Sequence, residues 1–156
     1  MRMLQKKILL VLFLFTTSCG YEAIYSKKNF GNYDFSISSI NFEGDRNINL
    51  RIKQKLNNYM INKKNREFNL DIKTVEEKII LAKDAAGDAV NFENTINANI
   101  KVYIGDKLLK DIKIEKNFKY ENITNKYDLE NYERELKTNL AETIAEEIVF
   151  KLSNIQ

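Results

Sequence analysis

The segment that most clearly predicts a chemical modification surrounds the single cysteine of this chain, Cys19. Basic residues precede an unbroken apolar run over 8–15, and Thr16-Thr17-Ser18 then leads directly to the cysteine. This order is typical of a secretory signal, since a run of eight apolar residues spans roughly 12 Å as a helix, far less than the ~30 Å bilayer core. A cysteine placed directly after such a segment resembles a bacterial lipobox, which predicts cleavage before Cys19 and acylation of its thiol.

An ordinary signal peptide cleaved near Ser18 is the alternative, and it would leave Cys19 as a free thiol. We favour lipidation, because an unpaired exposed thiol is a liability in an oxidising compartment. Gly20 follows the cysteine where an Asp would favour the inner membrane, so the outer membrane is the predicted destination. The sequence thus predicts a signal peptide over 1–18, an acylated Cys19 and tether over 19–32, and one α+β domain over 33–156.

A second set of candidate residues follows from the alternation in two predicted strands. Lys101 and Tyr103 alternate with apolar residues that end at Ile104, and Lys113 and Lys119 alternate with apolar residues of the next strand. Successive side chains of a strand point to opposite faces, so these four residues are expected on the polar face of one sheet. Lysines there could hold phosphates through charge-assisted hydrogen bonds. A plain solvated sheet face is the alternative that the sequence leaves open.

Composition excludes several classes of function. The chain has no His, so it cannot contain a Ser-His-Asp site, a His-ligated zinc or a His general base. The signal contains three of the 25 basic residues and no acidic one, which leaves 22 residues of each sign in the mature chain. A neutral, charge-mixed surface disfavours nucleic acid. Because the carboxylates are scattered, we expect no enzyme activity, no metal and no cofactor.

The hydrophobic pattern predicts one domain with the element order β-α-β-β-β-α. Period-two alternation predicts strands over 33–42, 68–82, 95–104 and 108–120, and helical spacing predicts helices over 48–60 and from 127 onward. A change of phase before Ile40 predicts a bulge, Gly44 to Asn47 predicts a helix cap, and Glu76-Glu77-Lys78 predicts a second irregularity. We expect a single-layer antiparallel four-stranded sheet with both helices on one face.

The order of elements and the anchored start together resemble the LPS-assembly lipoprotein family, LptE. Members begin with an acylated Cys, a Gly and an aromatic residue, as Cys19-Gly20-Tyr21 does here. The segment Asn117-Phe118-Lys119-Tyr120, followed by Tyr127 and the Ala- and Glu-rich stretch over 141–148, is similar to the family's final strand and long C-terminal helix. The resemblance covers nearly the whole mature chain, although its motifs are short.

The resemblance implies an outer-membrane lipoprotein that plugs a large β-barrel, LptD, helps that barrel assemble and passes lipopolysaccharide to the outer leaflet. Family members bind lipopolysaccharide through basic residues that cannot be matched here by position. Lys101, Tyr103, Lys113 and Lys119 are therefore candidates from the strand pattern alone. Two alternatives are a stand-alone periplasmic-face lipoprotein that binds a small ligand or peptidoglycan, and a carboxylate-dependent hydrolase.

Overall fold

The structure, a computed structural model, describes residues 33–155. The predicted signal peptide, Cys19 and the tether lie outside the described residues. The elements follow the predicted order, which confirms the α+β class: β1 (Phe35–Gly44), α1 (Arg46–Leu56), β2 (Arg66–Lys83), β3 (Ala89–Ile104), β4 (Lys107–Glu121) and α2 (Lys126–Ser153). A short 3₁₀ turn, Asn57–Tyr59, follows α1.

The four strands form one sheet in the order β1-β2-β3-β4. The pairs β2–β3 and β3–β4 are antiparallel as predicted, whereas β1 and β2 are parallel, so the sheet is mixed. The physical reason is the connection between them: α1 carries the chain back to the end where β1 started, and β2 then runs in the same direction. Strand alternation alone could not reveal this, because the pleat is the same in both directions.

Two irregularities were predicted, and only the first is where the sequence placed it. The register of β1 shifts between Ile37 and Ser39, which confirms the bulge before Ile40. In β2 the pairing runs without a shift through Glu76 and Lys78, and it shifts only between Ile80 and Lys83. The prediction at Glu76-Glu77-Lys78 was wrong because polar side chains on the helix side of β2 find partners on α2.

Those partners are two ion pairs between β2 and α2. Lys78 Nζ lies 2.6 Å from Glu133 Oε1 and 4.3 Å from the centre of the Phe92 ring. Glu76 Oε2 lies 2.6 Å from Lys137 Nζ. Both polar residues therefore keep the pleat regular while they attach the sheet to the helix.

The core fills the space between one face of the sheet and the two helices. Its helix side is formed by fully buried aliphatic residues, such as Ile52 of α1 and Ile148 of α2. An aromatic cluster of Tyr33, Phe35 and Tyr59 closes it where the described chain begins, with the Phe35 and Tyr59 rings stacked at 5.6 Å. Burial of this continuous apolar layer is the main driving force for folding.

Candidate functional site

The open face of the sheet, meaning the side chains that point away from both helices, contains all four residues predicted as candidates. Lys101 and Tyr103 project from β3, and Lys113 and Lys119 project from β4. Ile100 and Val102 on the opposite side of β3 are fully buried, as the pleat requires. The sequence therefore placed these side chains on the correct face, because period-two alternation gives the face directly.

The sheet register brings three of the four candidates together and separates the fourth. Lys101 is paired with Asp111, and Lys113 is paired with Asn99, so the two lysines are diagonal neighbours on adjacent strands. Tyr103 lies two residues beyond Lys101 on the same face. Lys119 is six residues farther along β4 than Lys113, a distance of about 20 Å. Lys119 is therefore not part of the same site.

A polar groove of about 430 Å³ lies where Lys101 and Lys113 meet. Side chains from all four strands line it, and the polar ones are Asn41, Glu43, Asp71, Lys73, Asn99, Lys101, Asp111 and Lys113. Lys73 was not among the predicted site residues. The strand pattern could have placed Lys73 on the open face, since Lys73 lies between Ile72 and Thr74, which are both buried.

Carboxylates compensate the positive charge in this groove. Lys101 lies between Asp71 and Asp111 in the register of the sheet. Lys73 Nζ forms an ion pair of 2.6 Å with Glu43 Oε1. Among the described residues, Lys101 and Lys113 have no ion pair within 4.0 Å, so their ammonium groups are the ones available to an anion. Outside the groove, Lys119 Nζ lies 3.8 Å from Glu93 Oε2.

The groove also presents hydrogen-bond donors and acceptors. Asn41 Nδ2 donates to Asp71 Oδ1 at 2.8 Å, which holds that carboxylate at the groove floor. Partial desolvation and the hydrogen bond of its hydroxyl to the Asp71 carboxylate raise the pKa of Tyr103. A surface with lysines, carboxylates and amides side by side fits a ligand that has both anionic groups and hydroxyls.

A second concave region of about 550 Å³ lies between the two helices. Its charged lining comes from Arg51 of α1 and from Glu130, Glu133, Arg134 and Lys137 of α2. Among residues 33–155, no group of three or more His, Cys, Asp or Glu side chains could hold a metal ion. No described helix is both long enough and apolar enough to span a bilayer.

Comparison with known proteins gives matches in structure alone. No protein-family model matches the chain, and no curated protein matches it in sequence. Rare lipoprotein B from Shewanella oneidensis is similar with a TM-score of 0.54 at 14% identity, over 74% of this chain and 97% of that chain. A minor lipoprotein from Acinetobacter baumannii is similar with a TM-score of 0.57 at 15% identity, over 78% of this chain and 92% of that chain.

Lipoprotein B from Nitrosomonas europaea is similar with a TM-score of 0.53 at 15% identity, over 81% of this chain and 90% of that chain. This chain shares the fold of these lipoproteins. Identities at this level show the fold alone.

Proposed function

We propose that this chain is an outer-membrane lipoprotein that partners and plugs the LPS-translocon β-barrel, LptD. In this role it assists assembly of the barrel and delivery of lipopolysaccharide to the outer leaflet. Its contribution is binding and scaffolding, and no bond is made or broken. The LptE-like character of the chain and its attachment through an acylated Cys19 are parts of the same proposal.

The observation that carries the proposal is the fold shared with solved lipoproteins, in a chain whose own N-terminal sequence predicts lipidation. The two observations are independent, because the lipidation signal lies in residues 1–19 and the fold is formed by residues 33–155. The resemblance of the Cys19-Gly20-Tyr21 start to the LptE family adds a third line of support.

The polar groove is the proposed contact for lipopolysaccharide. Its phosphates would meet Lys101 and Lys113, which have no ion pair among the described residues, and its sugar hydroxyls would meet Asp71, Asp111 and Asn99. Tyr103, two residues beyond Lys101 on the same face, would contact the same headgroup. Binding of this kind depends on charge-assisted hydrogen bonds and is expected to weaken as the salt concentration rises.

Affinity purification from outer membranes in mild detergent tests the partnership. We expect a stoichiometric β-barrel of LptD type to co-purify with the full chain. Recovery of the protein alone from a well-solubilised membrane would contradict the proposal. The same result would favour the stand-alone lipoprotein, for which the 550 Å³ interhelical groove is the candidate ligand site.

Charge reversal on the open face tests the lipopolysaccharide contact. Lys101→Glu combined with Lys113→Glu should weaken binding of purified lipopolysaccharide by about tenfold or more, because two charge-assisted contacts are lost. Lys119→Glu is the matched control, since it changes the same residue type on the same face about 20 Å away. Equal binding by all three proteins would exclude the groove as the contact while leaving the barrel partnership untouched.

A further inference from the structure

The chain enters the described domain at the same end of the sheet where the β3–β4 turn lies. Phe35, at the start of β1, is paired with Arg66, at the start of β2. Asn69 Nδ2 donates to the carbonyl of Gly105 in the β3–β4 turn at 3.4 Å, and the Arg66 guanidinium donates to the carbonyl of Ile155. The start of the domain, its last described residue and this turn therefore share one end of the molecule.

This turn exposes three apolar side chains. Ile104, Leu108 and Leu109 are 49%, 49% and 39% exposed, although they are large aliphatic side chains. The pairing shifts between Val102 and Tyr103, so that Leu109 is an extra residue in β4. Because of this bulge, Leu108 and Leu109 are both displayed at the tip of the hairpin rather than one of them being buried beneath a helix.

Ile104, at the end of β3, is also exposed. Its position in the alternation of β3 is shared with Ile100 and Val102, which are fully buried. Ile104 is nevertheless half exposed, because the hairpin tip extends beyond the reach of the helix layer. The tip thus exposes apolar side chains from both faces of the sheet, and the described domain provides no cover for them.

The charge around the tip favours an anionic surface. Lys107 and Lys110 flank the two leucines and outnumber Asp106 over 104–110, and Asp111 is the next residue. The turn at the opposite end of the sheet has the reverse balance, with Asp84 and Asp88 against Lys83. Apolar side chains beside long lysines are typical of segments that enter the headgroup region, since the lysine stems lie along apolar surface while the ammonium groups reach phosphates.

We propose that the β3–β4 turn, residues 104–110, docks on the headgroup region of an anionic phospholipid bilayer. This inference rests on the proposed lipid anchor in one respect. Cys19 precedes Tyr33 by 14 residues, which can span at most about 50 Å. The anchor would therefore keep this end of the domain within reach of the leaflet that holds the acyl chains, and weak docking would be strengthened by the high effective concentration.

The test uses the mature chain from Cys19 onward, produced without its signal peptide and therefore without acyl chains. Vesicles of phosphatidylethanolamine with phosphatidylglycerol are floated on a gradient, and the bound fraction of protein is measured. We expect binding that decreases with salt. The double variant Leu108→Ser with Leu109→Ser should lower the partition coefficient by about tenfold, because most of the apolar area is removed.

The opposite end of the sheet provides a matched control. Ile80 and Leu81 are 51% and 42% exposed, and they also lie at a β-bulge beside a hairpin turn. Ile80→Ser with Leu81→Ser should leave vesicle binding unchanged. Equal losses in the two double variants, or no binding by the parent chain, would overturn the proposal. Binding only to vesicles that contain lipopolysaccharide would also overturn it and would assign the tip to that lipid.

A fluorescence measurement gives an independent readout of the same contact. The chain has no Trp, so a single introduced Trp reports without background. Leu109→Trp should shift its emission to the blue on vesicle addition and be quenched by brominated lipids, whereas Ile80→Trp should do neither. An unshifted spectrum for Leu109→Trp would contradict insertion of the tip. Because no acyl chain is present, failure here is distinct from failure of the lipid anchor, which palmitate labelling measures.

Discussion

At the scale of single residues, Gly44 makes the turn from the first strand into the first helix possible. Its φ of 102° lies in the left-handed region, and a Cβ at this position would lie 1.8 Å from the carbonyl oxygen of Thr74. Asp45 follows and caps α1, because its Oδ1 accepts from the N–H groups of Asn47 and Ile48 at 2.9 Å each. Glycine is required here both by the backbone conformation and by the approach of β2.

Gly44→Ala should lower the free energy of unfolding by about 2–4 kcal/mol, because strain in φ adds to a clash with backbone that cannot move independently. Urea unfolding followed by circular dichroism measures this change. Gly87→Ala is the control, since Gly87 also has a positive φ of 91° but nothing lies within 4 Å of its Cβ position. We expect a loss of about 1 kcal/mol there. Equal losses at the two glycines would show that the approach to Thr74 is unimportant.

At the scale of elements, the two helices are joined across their surface by one carboxylate. The Arg51 guanidinium of α1 donates to Glu142 Oε1 through Nε at 2.8 Å, and Lys55 Nζ lies 2.6 Å from Glu142 Oε2. The hydrogen bond from Lys55 lowers the pKa of Glu142, burial opposes it, and Arg51 lowers the pKa further. A depressed folded-state pKa means that ionised Glu142 favours the folded domain.

Glu142→Gln should lower the free energy of unfolding at pH 7 by about 0.5–1 kcal/mol, the range of partly exposed ion pairs. The contribution of the native carboxylate is present above its ordinary pKa of 4.5 and is lost as the pH falls through the lower folded-state value. The difference between the two proteins should therefore shrink between pH 7 and pH 3 in urea titrations.

Glu135→Gln is the matched control for this effect. Glu135 is exposed on the same helix and forms no ion pair among the described residues, so its replacement should leave the unfolding free energy nearly unchanged. A loss in Glu142→Gln that stays constant down to pH 3 would contradict the electrostatic origin and would indicate altered packing between α1 and α2.

The elements also show where sequence patterns stop being informative. The bulge in β1 and the cap of α1 were predictable, since each leaves a local signature within a few residues. The pairing of Glu76 and Lys78 with α2 was not, because their partners Lys137 and Glu133 lie more than 50 residues away. Alternation gave Ile104 the correct face of β3, yet it could not show that the helix layer ends before the hairpin tip.

At the scale of the whole molecule, the topology places the start of the described chain, the end of α2 and the β3–β4 turn together. The two faces of the sheet consequently differ in kind. One packs against the helices along most of its length, and the other presents the polar groove. A lipoprotein with this arrangement would present its lysine-lined face and its apolar tip as adjoining surfaces, since Leu108 is paired with Tyr103. The first would serve the proposed lipopolysaccharide contact and the second the phospholipid contact.

Cys19→Ser should abolish incorporation of radioactive palmitate and leave the precursor unprocessed, because no thiol remains for acylation. We also expect the domain to lose its stable membrane attachment, since lasting attachment through lipids requires more than a single weak contact. Labelling followed by gel electrophoresis measures the first effect. Ser18→Ala retains the cysteine after a small residue and should be labelled normally. Continued labelling of Cys19→Ser would exclude the predicted lipidation site.

Periodicity and neighbours a few residues apart are enough to predict the element order, the helix cap and the first bulge. They also predict the face on which four side chains lie, those of Lys101, Tyr103, Lys113 and Lys119. Three further features are evident in the folded domain alone: the parallel pairing of β1 with β2, the place of Lys73 in the polar groove and the separation of Lys119 from it. The exposure of Ile104, Leu108 and Leu109 is a fourth such feature. These properties depend on strand direction, register and the extent of the helix layer, which are set by contacts between residues distant in the chain.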